Sequence, residues 1–186
     1  MIENNVLQSI KTTGVAYDVI EIDPDYADTY NFCEKYKYPL KNSANTIIVR
    51  SKKKPVTFAA AVVSASKKLD VNHTLKKLMN SGRISFAKPE ETETLTGMTV
   101  GGVTVLGLPP NVNTYADKEL LDLDYIILGG GGRSTKIIVS PIILTKLKNV
   151  KVVDHLTLKI VIRSAPILTY LLVRPFLCAI PYINCY

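Results

Sequence analysis

The amino-acid sequence predicts a single α/β domain built on a mixed β-sheet with short flanking helices. Short apolar segments that fit strands alternate irregularly with segments that fit short helices, and no regular series of βαβ units is evident. The chain has 186 residues, which is enough for one domain with a full core. Between residues 96 and 136, glycine-rich turns join the short strands.

Eight segments have the alternating or continuous apolar character of β-strands. Gly, Pro, Asp or Lys residues bound most of them, as expected for turns. The two segments on either side of the turn at 52–55 are predicted to form a hairpin in the core. The predicted strands are residues 15–22, 46–50, 56–63, 83–87, 114–117, 125–128, 135–139 and 150–154.

Five segments have helical periodicity or helix start and stop signals. Asp28 and Asn72 are predicted to cap the second and third helices, because short polar side chains accept hydrogen bonds from the free N–H groups of a first turn. Pro89 fits the first turn of the fourth helix, and Gly97 fits its end. The predicted helices are residues 2–13, 29–38, 73–80, 89–97 and 141–147.

The charge balance is mildly basic. The net charge is +7, but three basic and no acidic residues lie in the last 28 residues, so residues 1–158 carry +4. This is less than a dedicated nucleic-acid binder usually carries. The lysine patches at 52–54, 67–68 and 76–77 are either solvated faces or weak, salt-sensitive contacts for RNA phosphates.

Metal sites and disulfides are not predicted. The three cysteines form no Cys-x-x-Cys pair, and neither His73 nor His155 has a ligand-like neighbour at short spacing. Cys33 lies among aromatic residues and fits a core position better than a nucleophile. The N-terminus lacks the basic-then-apolar order of a signal peptide, so we expect a cytoplasmic protein, and we expect it to be a monomer.

The last 30 residues, 157–186, are apolar and differ from the rest of the chain. Arg163, Arg174 and three prolines interrupt this stretch, which therefore contains no run near the roughly 20 residues needed to cross a bilayer. We expect no membrane contact and a C-terminal extension that lies outside the fold.

The glycine turns at 101–102 and 129–132 are the strongest functional signal. Ordering four consecutive glycines on folding costs more conformational entropy than an ordinary turn, which needs only one or two. Dinucleotide-binding loops and P-loops do not fit, because both open a helix whereas residues 135–139 fit a strand. Two interpretations remain: a structural hairpin, or a turn whose N–H groups bind a carbonyl, hydroxyl or phosphate beside Arg133 or Lys136.

Six motifs in order resemble the YbaK family of aminoacyl-tRNA deacylases, which includes domains found in or beside prolyl-tRNA synthetases. They are SANTIIV at 43–49, FA at 86–87 with PEE at 89–91, TGM at 96–98, GGVT at 101–104 with GLP at 107–109, YAD at 115–117 and GGGGRSTK at 129–136. Each motif is weak alone, but six in order make a strong signal. The resemblance covers residues 25–156, which leaves the helix and strand of residues 1–24 outside it.

The resemblance implies one α/β domain around a mixed, barrel-like sheet that hydrolyses the ester joining a wrong amino acid to tRNA. It implies the 3′ acceptor end of aminoacyl-tRNA as partner, a synthetase as a possible second partner, and no cofactor or metal. An activated ester needs a positioned water, backbone donors for the oxyanion and a ribose hydroxyl as proton relay. The lack of a Ser, His or Cys nucleophile therefore does not argue against an enzyme.

The resemblance and the glycine turns together nominate the site residues. Asn45, Gly130 and Gly131 are predicted to be catalytic, with Asn45 touching the 3′ end, and Gly130→Val is expected to abolish activity without disturbing the fold. Asp117 is predicted to order the loops. The residues predicted to bind substrate are Thr46, Gly101, Gly102, Val103, Thr104, Gly107, Asp117, Gly129, Gly132, Arg133, Ser134 and Lys136.

Two departures from the family pattern bear on activity. Many members have Lys where this chain has Asn45, which brings no charge, and Val105 and Leu106 stand where related sequences have Pro-Phe. The alternative to an enzyme is therefore a catalytically silent relative that binds aminoacyl-tRNA or a synthetase. A third interpretation is a small-molecule pocket unrelated to tRNA.

Overall fold

The computed structural model describes residues 4–158, and the predicted extension lies almost wholly outside them. The helices are α1 (Asn4–Thr13), α2 (Thr29–Tyr36), α3 (Lys76–Leu78), α4 (Pro89–Thr96) and α5 (Ile143–Lys146). The strands are β1 (Tyr17–Glu21), β2 (Ala44–Ser51), β3 (Phe58–Ser64), β4 (Ile84–Phe86), β5 (Asn113–Asp117), β6 (Ile126–Gly129), β7 (Thr135–Val139) and β8 (Val150–Val153). Each of these helices and strands overlaps a predicted one, whereas short 3₁₀ helices at Pro24–Tyr26, Leu40–Asn42 and Lys118–Asp122 were not predicted.

The strands form two sheets. The first has the order β1-β7-β6, and both of its pairings are antiparallel. The second has the order β4-β2-β3-β5-β8; its pairings are antiparallel around β2 and parallel around β5. The predicted α/β class and mixed pairing are confirmed, while the strands of residues 4–158 do not close into a barrel.

The main core lies between the two sheets. Leu128 of β6 and Ile137 of β7 pack there against Ala60 and Val62 of β3. The helix α1 adds Ile10 to the same core and is fully buried on that side. The first helix is thus packed against the same core as the strands of both sheets.

The strand β3 is apolar throughout because both of its faces are buried. Side chains alternate along a strand, so Ala60 and Val62 face the main core while Ala61 and Val63 face a second cluster that contains Leu75. A central strand that is covered on both sides has no face in contact with water, so its sequence needs no alternating polar residues. This explains the continuous apolar run at 58–63.

A third apolar cluster supports the helix α2 against the smaller sheet. Phe32 of α2 is 1% exposed, packs near Ile127 of β6 and stacks on Tyr38 with 5.4 Å between ring centroids. This contact holds α2 beside the first residues of β2. The gap between α2 and the start of β2 opens into a cavity.

Two predicted helix caps were wrong in detail. Asp28 stands at the N-cap of α2 but makes no capping bond, because its carboxylate pairs with Arg133 instead. At the third helix the cap is Asp70, whose carboxylate accepts from the N–H groups of His73 and Thr74, and not Asn72. That helix begins with a wide π-type turn at Val71–Leu75.

No helix among residues 4–158 is long and apolar enough to cross a membrane. The same described residues contain no cluster of His, Cys, Asp and Glu that could hold a metal ion. At the C-terminal limit of this range, Thr157 is buried and forms an isolated bridge with Leu69.

Candidate functional site

A cavity of about 340 Å³ opens between α2, the first half of β2, the segment after β4, and the loop at 100–103. It brings together residues that are more than 90 positions apart in the chain. Two of the glycine turns meet there, since one supplies Gly101 and the other supplies Gly129. The predicted site residues that line the cavity are Asn45, Thr46, Gly101, Val103, Gly129 and Lys136.

The other predicted site residues do not line this cavity. Most of them belong to the turns behind its wall, and three lie elsewhere in the fold. The residues that stand outside the lining are Gly102, Thr104, Gly107, Asp117, Gly130, Gly131, Gly132, Arg133 and Ser134.

The two glycine turns touch each other through their main chains. A Cβ on Gly102 would overlap the carbonyl of Gly132, and one on Gly129 would overlap the carbonyl of Gly102. The Gly131 N–H donates to the Gly102 carbonyl at 2.9 Å, and the Thr99 N–H donates to the Gly131 carbonyl at 3.0 Å. These glycines are therefore required for close loop packing, whatever the loops bind.

The amides of Gly130 and Gly131 are already occupied. The Gly130 N–H donates to the Thr135 carbonyl at 3.2 Å, and the Gly131 N–H to the Gly102 carbonyl. Neither amide is free for a substrate in this arrangement. A side chain at Gly130 would also overlap the side chain of Thr135, so Gly130→Val disturbs the turn itself, contrary to the expectation from sequence.

Lys136 places a buried cation in the cavity wall. Only 6% of the residue is exposed, and its Nζ donates to the Ala27 carbonyl at 2.7 Å and to the Gly101 carbonyl at 3.0 Å. The Nζ also lies 5.6 Å from the centre of the Phe32 ring. Burial lowers the pKa of Lys136 to about 8, although the Asp28 carboxylate opposes this shift. An ammonium has three N–H donors, so one remains for a ligand.

Asn45 and Thr46 present polar groups at the start of β2. The Asn45 Oδ1 accepts from the Thr29 hydroxyl at 2.7 Å, which leaves the side-chain NH₂ as the available donor. The Thr46 Oγ1 is buried and has no hydrogen-bond partner among the described residues. Buried polar atoms are normally satisfied, so this hydroxyl is suited to a partner that enters the cavity.

Arg133 ties loops together beside the cavity. Its guanidinium donates to the Pro24 carbonyl at 2.9 Å and to the Val100 carbonyl at 3.1 Å, and it forms an ion pair with Asp28 at 3.3 Å. The next residue, Ser134, accepts at its carbonyl from the Ile22 N–H. The positive charge of Arg133 is thus largely committed within the protein.

Three predicted residues lie away from the cavity. Gly107 packs against the backbone of Asn5 in α1, and Thr104 is fully buried with its hydroxyl accepting from the Leu106 N–H. Asp117 ends β5, accepts from the Glu119 N–H at 3.1 Å and lines a separate cavity of about 190 Å³. Burial raises the pKa of the Asp117 carboxyl.

Several residues that line the cavity were not predicted from the sequence. Ser43 and Phe86 both line it, and both belong to the motifs that carry the family resemblance. That membership was the signal that could have identified them. Thr29 also lines the cavity and holds Asn45, but no local motif marks it.

The fold and the lining residues define a single-domain α/β protein with a polar, partly buried cavity. The sequence profile of the aminoacyl-tRNA editing domain matches residues 23–147, and the chain therefore belongs to this family, also called YbaK. The predicted resemblance is confirmed, and family membership supports an editing role. A comparison with curated proteins gives no match.

Solved structures share the fold. The "hypothetical protein APE2540" is 25% identical, with a TM-score of 0.72 over 81% of this chain and 98% of that chain. "A putative trans-editing enzyme for prolyl tRNA synthetase" is 20% identical, with a TM-score of 0.69 over 83% of this chain and 98% of that chain. At this identity the second likeness shows the fold alone.

The first prediction concerns the contact between the glycine turns. Gly129→Ala is expected to lower the free energy of unfolding by about 1–3 kcal/mol or more, because its Cβ meets backbone on the facing loop. Gly82→Ala is the matched control, since a Cβ there meets nothing within 4 Å and is expected to change stability by less than about 0.5 kcal/mol. Urea unfolding measures both, and equal stabilities would contradict the packing role.

The second prediction concerns the buried ammonium. Lys136 loses its proton near pH 8 when folded and near 10.5 when unfolded, so between these values the unfolded state binds more protons and rising pH favours folding. The free energy of unfolding of the wild type should therefore rise relative to Lys136→Met across this window. For the exposed control Lys146→Met, the free energy of unfolding should change with pH in the same way as for the wild type. Denaturant titrations from pH 7 to 10.5 test this, and parallel pH profiles of all three proteins would refute it.

Proposed function

We propose that this protein is a hydrolase that removes wrongly attached amino acids from tRNA by cleaving the aminoacyl ester. Membership in the editing-domain family supports this proposal. The observation that carries it is the convergence of the Lys136 ammonium, the Asn45 amide and Gly101 on one cavity. These are hydrogen-bond donors of the kind that a developing oxyanion needs.

The shape and lining of the cavity fit an aminoacyl group with a small side chain. Apolar contacts from Ile47, Ile48 and Leu128 surround the polar groups. Small apolar side chains differ by about 1–3 kcal/mol per methylene in one binding pocket, which limits how well a synthetase can select among them. A second hydrolytic site raises the overall selectivity.

The proposed reaction is a single displacement by water. A water oxygen forms a bond to the ester carbonyl carbon, and the negative charge moves to the carbonyl oxygen. The third N–H of Lys136 stabilises this oxygen, together with the Gly101 N–H, which donates to no acceptor among residues 4–158. The ester C–O bond then breaks, and the proton from the water passes to the ribose oxygen, with the neighbouring ribose hydroxyl as relay. The products are a free amino acid and tRNA.

The polar residues of β2 have positioning roles in this proposal. Thr29 fixes the Asn45 side chain so that its NH₂ faces the ligand. The Thr46 hydroxyl, which has no partner within residues 4–158, accepts from or donates to the aminoacyl group. Pre-positioned donors cost little reorganisation when the ester binds. Asn45 thereby contacts the 3′ end without supplying charge.

A catalytically silent binding module is the second candidate. Asn45 brings no charge to a position where many members have Lys, and the amides of Gly130 and Gly131 are already engaged in backbone bonds. Such a protein would bind aminoacyl-tRNA or a synthetase without turnover. The Asn45→Lys variant distinguishes it from the enzyme.

The third prediction is deacylation of at least one member of a panel of mischarged tRNAs. Lys136→Met should lower kcat about 10²- to 10³-fold, the effect typical of losing one oxyanion donor. The exposed Lys146→Met should retain wild-type turnover. Release of labelled amino acid above the buffer rate is the measurement, and thermal melts confirm that each variant is folded. No release from any tRNA would reject the enzymatic proposal.

The fourth prediction separates the two candidates at Asn45. If the wild type already deacylates tRNA, Asn45→Ala should weaken turnover because one donor to the substrate is lost. If the wild type is silent and Asn45→Lys creates hydrolysis, the binding-module interpretation holds. The same mischarged-tRNA panel serves for both variants.

A further inference from the structure

Phe86 is an exposed aromatic residue at the edge of the cavity. It is 57% exposed and lines the cavity, whereas Phe32 is buried and Phe58 packs against the main core. Phe86 belongs to none of the apolar clusters and none of the aromatic pairs among residues 4–158. Because Phe86 is partly buried already, a partner that covered the rest of its ring would gain only part of the roughly 1.5–3 kcal/mol that full burial of such a side chain supplies.

The backbone holds this ring in a fixed place. Phe86 ends β4, the edge strand of the larger sheet, and pairs with Val49 of β2. The next residue, Ala87, donates its N–H to the Ile48 carbonyl at 2.9 Å. The paired strand therefore fixes the backbone from which the exposed ring projects.

The charges near Phe86 suit an RNA strand. Arg83 and Lys88 are exposed at either end of β4, and the Lys52 N–H bonds to the Arg83 carbonyl, which brings the lysines at 52–54 next to this edge. Of the carboxylates that follow Lys88, Glu91 is paired with Arg50, whereas Glu90 is exposed. An aromatic face flanked by basic residues is the pattern by which proteins bind single-stranded nucleic acid.

We infer that Phe86 stacks on the nucleobase of the 3′-terminal nucleotide, while the aminoacyl group attached to that nucleotide occupies the cavity. This inference rests on the proposed function for its choice of ligand. The base attached to an ester-bearing ribose must lie just outside the cavity, where Phe86 and the half-exposed Val100 flank the opening. Stacking tolerates any base, so Phe86 provides affinity and orientation and does not read sequence.

The fifth prediction uses the absence of tryptophan from the chain. Phe86→Trp introduces at this position a single tryptophan, which is excited selectively over the tyrosines. Tyr30→Trp, an exposed aromatic position outside the cavity lining, is the control. Each protein is titrated at low salt with uncharged RNA hairpins of an acceptor stem that end in CCA or in CC followed by an abasic residue. The CCA hairpin should quench the emission of Phe86→Trp, and the abasic hairpin should not. Tyr30→Trp should respond to neither.

The binding affinity for the two hairpins gives an independent test that needs no tryptophan substitution. Phe86→Ala should weaken binding of the CCA hairpin about 5- to 150-fold and leave binding of the abasic hairpin unchanged, and Phe86→Tyr should restore most of the loss. Equal quenching by both hairpins, or equal loss of affinity for both, would overturn the inference. Failure of the wild type to bind the CCA hairpin would also overturn it.

These assays use uncharged RNA, so they do not depend on turnover. Base-dependent quenching without release of amino acid would support stacking by Phe86 and reject the hydrolytic proposal. Deacylation of tRNA without base-dependent quenching would support the hydrolytic proposal and reject stacking by Phe86.

Discussion

The main-chain contact between the loop at 99–102 and the turn at 129–132 is the constraint on which the site depends. Carbonyls and N–H groups of the two segments meet directly, and a Cβ on Gly102 or Gly129 would occupy the space of a facing backbone atom. This contact sets Gly101 against the start of β7, where the Lys136 side chain reaches it. The glycines therefore build the cavity wall, although only Gly101 and Gly129 line the cavity itself.

The buried lysine is the electrostatic counterpart of this contact. Transfer of an ammonium out of water is unfavourable, and the lowered pKa of Lys136 reflects that cost. Two backbone carbonyls and the Phe32 ring compensate in part and fix the nitrogen in one place. A lysine on a mobile surface loop would have to lose its side-chain entropy on each binding event, whereas this one has lost it on folding.

The sequence predicted the elements well because their signals are local. Apolar runs, prolines and glycines mark strands and helix ends, and the six ordered motifs identified the family. The directions in which individual N–H groups and side chains point were not predictable in this way, because they depend on contacts that no local pattern specifies. The Gly130 and Gly131 amides turn toward backbone carbonyls, and Lys136 is covered by Ala27 and Gly101, although a lysine in a five-residue strand ordinarily faces solvent. The partner of the Gly130 N–H is set by the path of the turn itself. The partners of the Gly131 N–H and of the Lys136 ammonium lie about 30 or more positions away in the chain.

The hydroxyl side chains that line the cavity, such as Ser43, have no histidine beside them in the lining to act as a base, which is consistent with the chemistry proposed for the site. Donors that stabilise an oxyanion lower the barrier for any acyl group, but without an attacking side chain the site is limited to acyl groups that water attacks readily. An aminoacyl ester meets that condition and a peptide amide does not. Selectivity then follows from what fits between the apolar wall of β2 and the Lys136 nitrogen, so a site of donors alone discriminates by the reactivity and the size of the acyl group together.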